Sequence, residues 1–140
     1  MKKLIISALL LMAGFACLAQ ESDDFYKLKL ARRQNLTVRQ WNTDAKSKTR
    51  WLDHETVYDA QGRKVSEAEY NQFGVVWRET YEYGDNDRIV KEVRYDGRNK
   101  PVYIRKYEYD EKNRKAKQYN YSPAGKLVKT KVYEYLVSEQ

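Results

Sequence analysis

The chain has very few of the residues that ligate metals or act as nucleophiles. It has one cysteine, Cys17, and one histidine, His54, in 140 residues. A single imidazole without a second cluster of ligands is typical of a surface residue rather than of a metal site. No G-x-S-x-G nucleophile motif, phosphate loop, dinucleotide fingerprint or EF-hand pattern occurs. We therefore expect no metal, no cofactor and no catalytic residue.

Long apolar runs are also missing, apart from one at the start of the chain. Residues 1–20 read MKKLIISALLLMAGFACLAQ, in which two lysines precede an apolar run and small residues follow it. This three-part pattern predicts a secretory signal peptide, residues 1–19, that is cleaved between Ala19 and Gln20. The run is too short to cross a bilayer comfortably, so we expect no membrane span.

Cys17 allows a second interpretation of this segment, as the leader of a lipoprotein. Bacterial lipidation favours leucine three residues before the cysteine, and Gly14 stands at that place. Cleavage after Ala19 would remove the cysteine and exclude disulfides and thiol chemistry from residues 20–140. That length fits one domain. We expect the protein to be exported to the periplasm, the outer surface or the medium.

Charge of one sign is not concentrated in any part of the chain. The formal net charge is +7, and lysine and arginine are spread along the sequence. No basic tract of the kind that forms a nucleic-acid-binding arm occurs, so nucleic acid is not an expected partner. An anionic polymer or surface is compatible with this charge.

Six segments that each begin with tyrosine align without a gap. They read YDAQGR, YNQFGV, YGDNDR, YDGRNK, YDEKNR and YSPAGK, and they start at Tyr58, Tyr70, Tyr83, Tyr95, Tyr109 and Tyr121. The second position favours Asp, Asn or Ser, whose side chains bond the backbone of a type I turn. The fifth position holds Gly, Asn or Asp, which tolerate positive φ. Each segment therefore predicts a β-hairpin with a type I turn, a left-handed residue and a G1 bulge.

The runs between these corners are rich in Val, Ile, Tyr, Trp and Thr, which predicts strands. Short strands joined by tight turns indicate an all-β fold, an antiparallel meander of about seven to nine strands. The twisted sheet is either open or curled toward a barrel. The tripeptide YEY occurs at residues 81–83, 107–109 and 133–135. It falls on every second strand, because 26 residues make two strands and two turns.

We assign the predicted meander to residues 48–138 and a separate N-terminal segment to residues 20–47. Residues 23–34 read DDFYKLKLARRQ. Their apolar positions fit a short helix that Asp23 would cap, and they also alternate as in a strand. A further strand is expected before residue 42.

Residues Tyr58–Val65, YDAQGRKV, resemble the tyrosine–aspartate (YD, or Rhs-type) repeat, whose pattern runs Y-D-x-x-G-R. The likeness extends over residues 56–136, and the first unit matches most closely. The resemblance implies stacked β-hairpins with roles in encapsulation, adhesion or carbohydrate contact. A chain this short cannot form the large closed shell, so encapsulation does not carry over. The leader, size and composition are similar to those of small exported Bacteroidetes proteins without an established activity.

A provisional register follows if each corner tyrosine lies opposite the residue six positions on. It predicts one face on which tyrosines alternate with basic residues, and Lys115 lies there between Tyr109 and Tyr133. The 13-residue step from Tyr70 predicts a bulge near Trp77–Thr80. The candidate ligand-binding residues on this face are Tyr103, Tyr107, Tyr109, Lys115, Tyr119, Tyr121 and Tyr133.

Three classes of function are compatible with this sequence. The leading one is a non-catalytic protein that binds a glycan or an acidic polymer at the cell envelope, although tyrosine is common in strands without any ligand. The alternative is a structural or protein-interaction module that pairs with itself or a partner through free sheet edges. The third is a small hydrolase with paired carboxylates such as Glu67 and Glu69, which ion pairing explains better.

Overall fold

The computed structural model describes residues 22–138, and the predicted signal peptide at residues 1–19 lies outside them together with its cleavage site. Residues 22–31 are helical and are called α1 here. The strands that follow are β1 (Thr37–Thr43), β2 (Arg50–Tyr58), β3 (Lys64–Asn71), β4 (Gly74–Tyr83), β5 (Ile89–Asp96), β6 (Pro101–Tyr109), β7 (Lys115–Tyr121) and β8 (Leu127–Val132). The predicted all-β fold is confirmed.

All eight strands form one sheet, in which each strand pairs with its neighbours in sequence. Every pair is antiparallel. Within residues 22–138, β1 and β8 each pair with one strand only, so the meander is open and is not closed into a barrel. β1 lies in the range predicted for the N-terminal segment and is part of this same sheet.

Five of the six tyrosine corners have the predicted turn. At the β6–β7 corner the Asn113 N–H donates to the Asp110 carbonyl at 2.9 Å, and the Asp110 N–H donates to the Arg114 carbonyl at 2.8 Å. The Asp110 carboxylate accepts the N–H groups of Lys112 and Arg114. The fifth position has positive φ in all five corners, at Gly62, Asp87, Asn99, Asn113 and Gly125. The local turn chemistry therefore follows the sequence.

The corner at Tyr70 differs from the other five. It is a tighter turn in which Asn71 pairs with Gly74, and Tyr70 pairs with Val75 rather than with the residue six positions on. Glu69 pairs with Trp77, so the extra residue is Val76. The predicted bulge therefore lies immediately before the expected stretch, and the β4–β5 register is regular from Trp77 to Glu82.

At the five regular corners the tyrosine pairs with the residue six positions on, as predicted. The predicted assignment of residues to faces is nevertheless wrong, because each of these corners has a register shift beside its tyrosine in addition to the bulge of the turn itself. Glu108 pairs with Lys117, whereas the next residue, Tyr109, pairs with Lys115. One extra residue on the following strand reverses the side-chain alternation, since the side-chain period of a strand is two. Corner tyrosines consequently alternate between the two faces of the sheet.

Two rows of paired residues define the faces. The ladder face carries the row Tyr81, Glu92, Arg105, Asn120 and Lys129. The reverse face carries the row Glu82, Lys91, Lys106, Tyr119 and Thr130. Residues that pair directly across antiparallel strands point to the same face, which is why each row stays on one side.

The core of this sheet is thin and partly polar. The buried apolar residues are Ala68, Tyr81, Val93 and Tyr107, and the buried polar residues are Glu79 and Gln118. A single layer cannot cover its own faces, so long side chains that lie along the sheet replace a second layer. The mean hydropathy of −0.93 agrees with this arrangement.

The ambiguous segment before β1 is helical, and α1 packs against the β2–β3 corner. A Cβ atom at Gly62 would lie 2.1 Å from the Leu30 carbonyl oxygen, so only glycine permits this approach. Gly62 also has φ of +78°, which favours glycine independently. The segment after α1 is joined to the sheet where the Asn35 N–H donates to the Asp59 carbonyl at 2.9 Å.

Candidate functional site

The three YEY units make the same hydrogen bonds on the ladder face. The first tyrosine of each unit donates to a side chain of the preceding strand. Tyr81 donates to Glu67, Tyr107 to Glu92, and Tyr133 to Gln118 at 3.1 Å. The last tyrosine of each unit donates to a main-chain carbonyl where the preceding odd-numbered strand begins. Tyr83 reaches Lys64 at 2.7 Å, Tyr109 reaches Ile89 at 2.7 Å, and Tyr135 reaches Lys115 at 2.8 Å.

These hydrogen bonds hold the hydroxyl groups of Tyr81 and Tyr107 against the sheet. Burial raises the pKa of Tyr81, and the hydrogen bond to the Glu67 carboxylate raises it further. The same two causes, with Glu92 as the acceptor, raise the pKa of Tyr107. Both rings are less than one tenth exposed. Tyr81 and Tyr107 are therefore structural residues that have little surface left for a ligand.

Basic side chains cover many of the tyrosine rings. The Arg63 guanidinium lies 4.8 Å from the Tyr83 ring centre, and the Arg114 guanidinium lies 4.1 Å from that of Tyr135. Lys115 pairs with Tyr109, as predicted, but its ammonium lies over a different ring, 4.1 Å from the Tyr107 ring centre. Cation–π contacts of this kind stabilise exposed sites by about 0.5–1 kcal/mol each.

Five of the seven predicted ligand-binding residues lie on the ladder face. They are Tyr103, Tyr107, Tyr109, Lys115 and Tyr133. The other two, Tyr119 and Tyr121, lie on the reverse face. Tyr119 donates there to Glu108 at 2.9 Å, and the Lys106 ammonium lies 5.4 Å from the Tyr121 ring centre. The sequence predicts all seven residues on one face, and the structure divides them between the two faces.

A groove opens on the ladder face at the end of the sheet where the β2–β3, β4–β5 and β6–β7 corners lie, which is called the tyrosine end here. Its volume is about 510 Å³. The residues that give it chemical character are Tyr83, Arg88, Tyr109, Arg114, Lys115 and Tyr135. A second groove of about 340 Å³ lies beside it, between α1 and the rings of Tyr58 and Tyr83. The two grooves share Tyr83 as a wall.

The carboxylates in the larger groove already have partners. Asp87 accepts a hydrogen bond from Arg63 at 2.8 Å, and Glu92 accepts one from Tyr107 and lies 3.6 Å from Arg105. Within residues 22–138, no carboxylate lies within ion-pair distance of Arg88 or Lys115. The groove therefore presents two uncompensated cations.

Arg88 and Tyr135 were not among the predicted site residues. Arg88 occupies the sixth position of its corner segment, which is basic in five of the six aligned segments. Tyr135 is the last residue of the third YEY unit and is 42% exposed. The basic sixth position was the signal that could have located Arg88. The contact between neighbouring corners is not visible in the sequence.

His54 and the candidate hydrolytic carboxylates form a small polar cluster on β2 to β4. The His54 Nε2 atom lies 3.7 Å from Glu67, and its ring contacts Trp77 edge-on at 6.1 Å. Burial works to raise the pKa of Glu67, but hydrogen bonds from Tyr81 and Lys64 outweigh it and the pKa is lowered. A carboxyl with a lowered pKa is a poor general acid. Among the described residues, no group of three or more His, Cys, Asp or Glu side chains is placed to hold a metal.

Comparisons with known proteins give no family. No family model matches the chain. No curated protein matches it either. Among solved structures, it is similar to a mutant of S. aureus TarM in complex with fondaparinux, α-GlcNAc-glycerol and UDP, at 18% identity and a TM-score of 0.28. That match covers 79% of this chain and 22% of the other. A likeness of this strength carries no argument about function.

No helix within residues 22–138 has the length and apolar character needed to cross a membrane.

Proposed function

We propose that this is an exported, non-catalytic binding protein whose larger groove at the tyrosine end holds an acidic oligosaccharide. The observation that carries the proposal is the pair of uncompensated cations, Arg88 and Lys115, beside the Tyr109 ring. The sequence of residues 1–19 supports export. The resemblance of Tyr58–Val65 to the YD repeat is compatible with carbohydrate contact.

The geometry suits a ligand that is both ring-shaped and anionic. Tyr109 donates its hydroxyl to Ile89 of β5, and its own strand pairs with Lys115 of β7, so it lies between the corners that supply the two cations. Sugar rings pack against aromatic side chains, and sulfate or carboxylate groups accept charge-assisted hydrogen bonds from Arg and Lys. The partly exposed Tyr135 extends the aromatic wall on the far side.

The open shape of the groove favours a polymer over a small enclosed ligand. The walls are the hairpin corners, and neighbouring corners contact one another, as where Asn86 donates to Asn113 at 3.2 Å. The second groove continues the same edge past Tyr83 toward α1. A chain of several sugar units could therefore follow the tyrosine end from one groove to the next.

Binding is tested with three hexasaccharides of defined length: a sulfated one, a carboxylated one and a neutral one. Calorimetry should detect the sulfated or carboxylated probe, and the affinity should fall as salt concentration rises. The double variant Arg88→Gln and Lys115→Gln should bind at least about tenfold more weakly, because two charge-assisted contacts are lost.

The matched control replaces Lys46 and Lys100 with glutamine. These lysines lie in corners at the opposite end of the sheet, so the net charge changes equally and the groove does not. If the groove variant and this control lose the same affinity for the acidic probe, the effect comes from overall charge and the groove is rejected as the binding site. Absence of binding to all three probes would reject the ligand class.

A further inference from the structure

The last strand, β8, leaves one edge of the sheet without a partner. Within the described chain it pairs with β7 only, and all six residues from Leu127 to Val132 are exposed. The residues after it do not cover this edge, because the Tyr133 N–H donates back to Ala116 of β7 at 3.0 Å. An edge strand presents unpaired N–H and C=O groups that can pair with another strand.

The charges on β8 break a pattern that the interior strands follow. On the ladder face, Arg94 lies 3.4 Å from Glu79, and Arg105 lies 3.6 Å from Glu92. The residue equivalent to Arg105 one repeat later is Lys131, and it pairs with Gln118 in place of a glutamate. Lys129 pairs with Asn120, which carries no charge either.

Both lysines therefore lack a countercharge. In the part of the chain that the structure describes, no carboxylate lies within ion-pair distance of Lys129 or Lys131. The other face of the same strand carries two valines on either side of Thr130, and Val128 and Val132 are 70% and 67% exposed. One strand thus presents unpaired positive charge on the ladder face and unpaired aliphatic surface on the reverse face.

We propose that the β8 edge binds an extended segment of another protein in which acidic residues alternate with aliphatic ones. The segment adds as a ninth, antiparallel strand. Its carboxylates lie on the ladder face beside Lys129 and Lys131, and its aliphatic side chains cover Val128 and Val132. Alternation with a period of two puts the two kinds of side chain on opposite faces, as the edge requires.

A second copy of this chain fits the edge less well. The other free edge is β1, whose sequence TVRQWNT contains one charged residue, Arg39, and no acidic one. Pairing β8 with β1 of a second copy would leave both lysines without a countercharge. Pairing β8 with β8 would set lysines against lysines, and like charges directly opposite one another destabilise a sheet.

The test uses two synthetic nine-residue peptides, one that alternates Glu with Val and one that alternates Lys with Val. Fluorescence anisotropy with the whole protein should show the Glu–Val peptide binding at least about tenfold tighter. The charge-swap variant Lys129→Glu and Lys131→Glu should reverse this preference. The control variant Lys27→Glu and Lys46→Glu has the same net charge change and should keep it.

Two further arms make the outcome decisive. A Glu–Val peptide in which every second Val is Pro keeps the charge but cannot pair as a strand, and it should bind at least about tenfold more weakly. The groove variant Arg88→Gln and Lys115→Gln should bind the Glu–Val peptide as the unsubstituted protein does, which separates this site from the sugar groove. Equal binding of the proline peptide, an unchanged preference in the charge-swap variant, or no binding of either peptide would overturn the proposal.

Discussion

At the scale of single residues, the sequence predicts what is decided locally. Asp110 bonds the backbone ahead of it, and Asn113 has positive φ, because both preferences act within four residues. The face occupied by Tyr119 depends instead on an extra residue between it and Tyr109. The even spacing of 12 residues between the corner tyrosines Tyr109 and Tyr121 hides that residue, so the candidate site included two tyrosines of the wrong face.

The tyrosine hydroxyl hydrogen bonds on the ladder face should stabilise the fold more than those on the reverse face do. Tyr107→Phe removes the hydroxyl that bonds Glu92 in a buried position, and we expect a loss of about 1–3 kcal/mol in the free energy of unfolding. Tyr119→Phe is the matched control and should change it by less than about 0.5 kcal/mol. Urea unfolding followed by circular dichroism measures both. Equal effects of the two substitutions would contradict the structural role assigned to Tyr107.

Stability should also decline at alkaline pH. Because the pKa of Tyr81 and of Tyr107 is raised in the folded protein, the unfolded chain releases these protons first. Their contribution is therefore complete below about pH 10, the ordinary pKa of tyrosine, and decreases above it. Urea unfolding between about pH 8 and pH 11 measures the decline. The double variant Tyr81→Phe and Tyr107→Phe should show a shallower decline, and an identical slope would contradict this account.

At the scale of elements, strands and corners follow from the sequence more readily than the N-terminal segment does. The apolar pattern of residues 23–34 fits both a helix and a strand, and the choice depends on a tertiary contact. The carbonyl of Leu30 lies against Gly62, a residue that the sequence identifies only as a turn glycine. Turn chemistry explains Gly125 completely, since a Cβ there would contact nothing within 4 Å.

Two glycine substitutions separate these roles. Asparagine tolerates positive φ, so Gly125→Asn should cost no more than a few tenths of a kcal/mol. Gly62→Asn places a Cβ against the backbone of α1 and should cost about 1–3 kcal/mol through displacement of the helix. Hydrogen exchange should show lost protection within residues 22–36 for Gly62→Asn only. Equal stability of the two variants would mean that α1 does not pack on this corner.

At the scale of the whole molecule, the meander and its strand number could be predicted, but its openness and the groove at the tyrosine end could not. Closure depends on whether β1 reaches β8, and no local pattern encodes that distance. The groove is assembled from two corners and the segment after β8, with Arg88 and Tyr135 separated by more than one repeat in sequence. The sequence identifies the residue types of the site, whereas the alternation of faces decides which of them meet.

The most direct test of the account is a titration with the acidic hexasaccharide that binds, followed by NMR of the tyrosine ring signals. The account predicts that shifts at saturation are confined to the tyrosine end, at Tyr83, Tyr109 and Tyr135. The rings of Tyr119 and Tyr121 should not respond, because they lie on the reverse face. Shifts at Tyr119 and Tyr121 without shifts at the tyrosine end would contradict both the assignment of faces and the proposed groove.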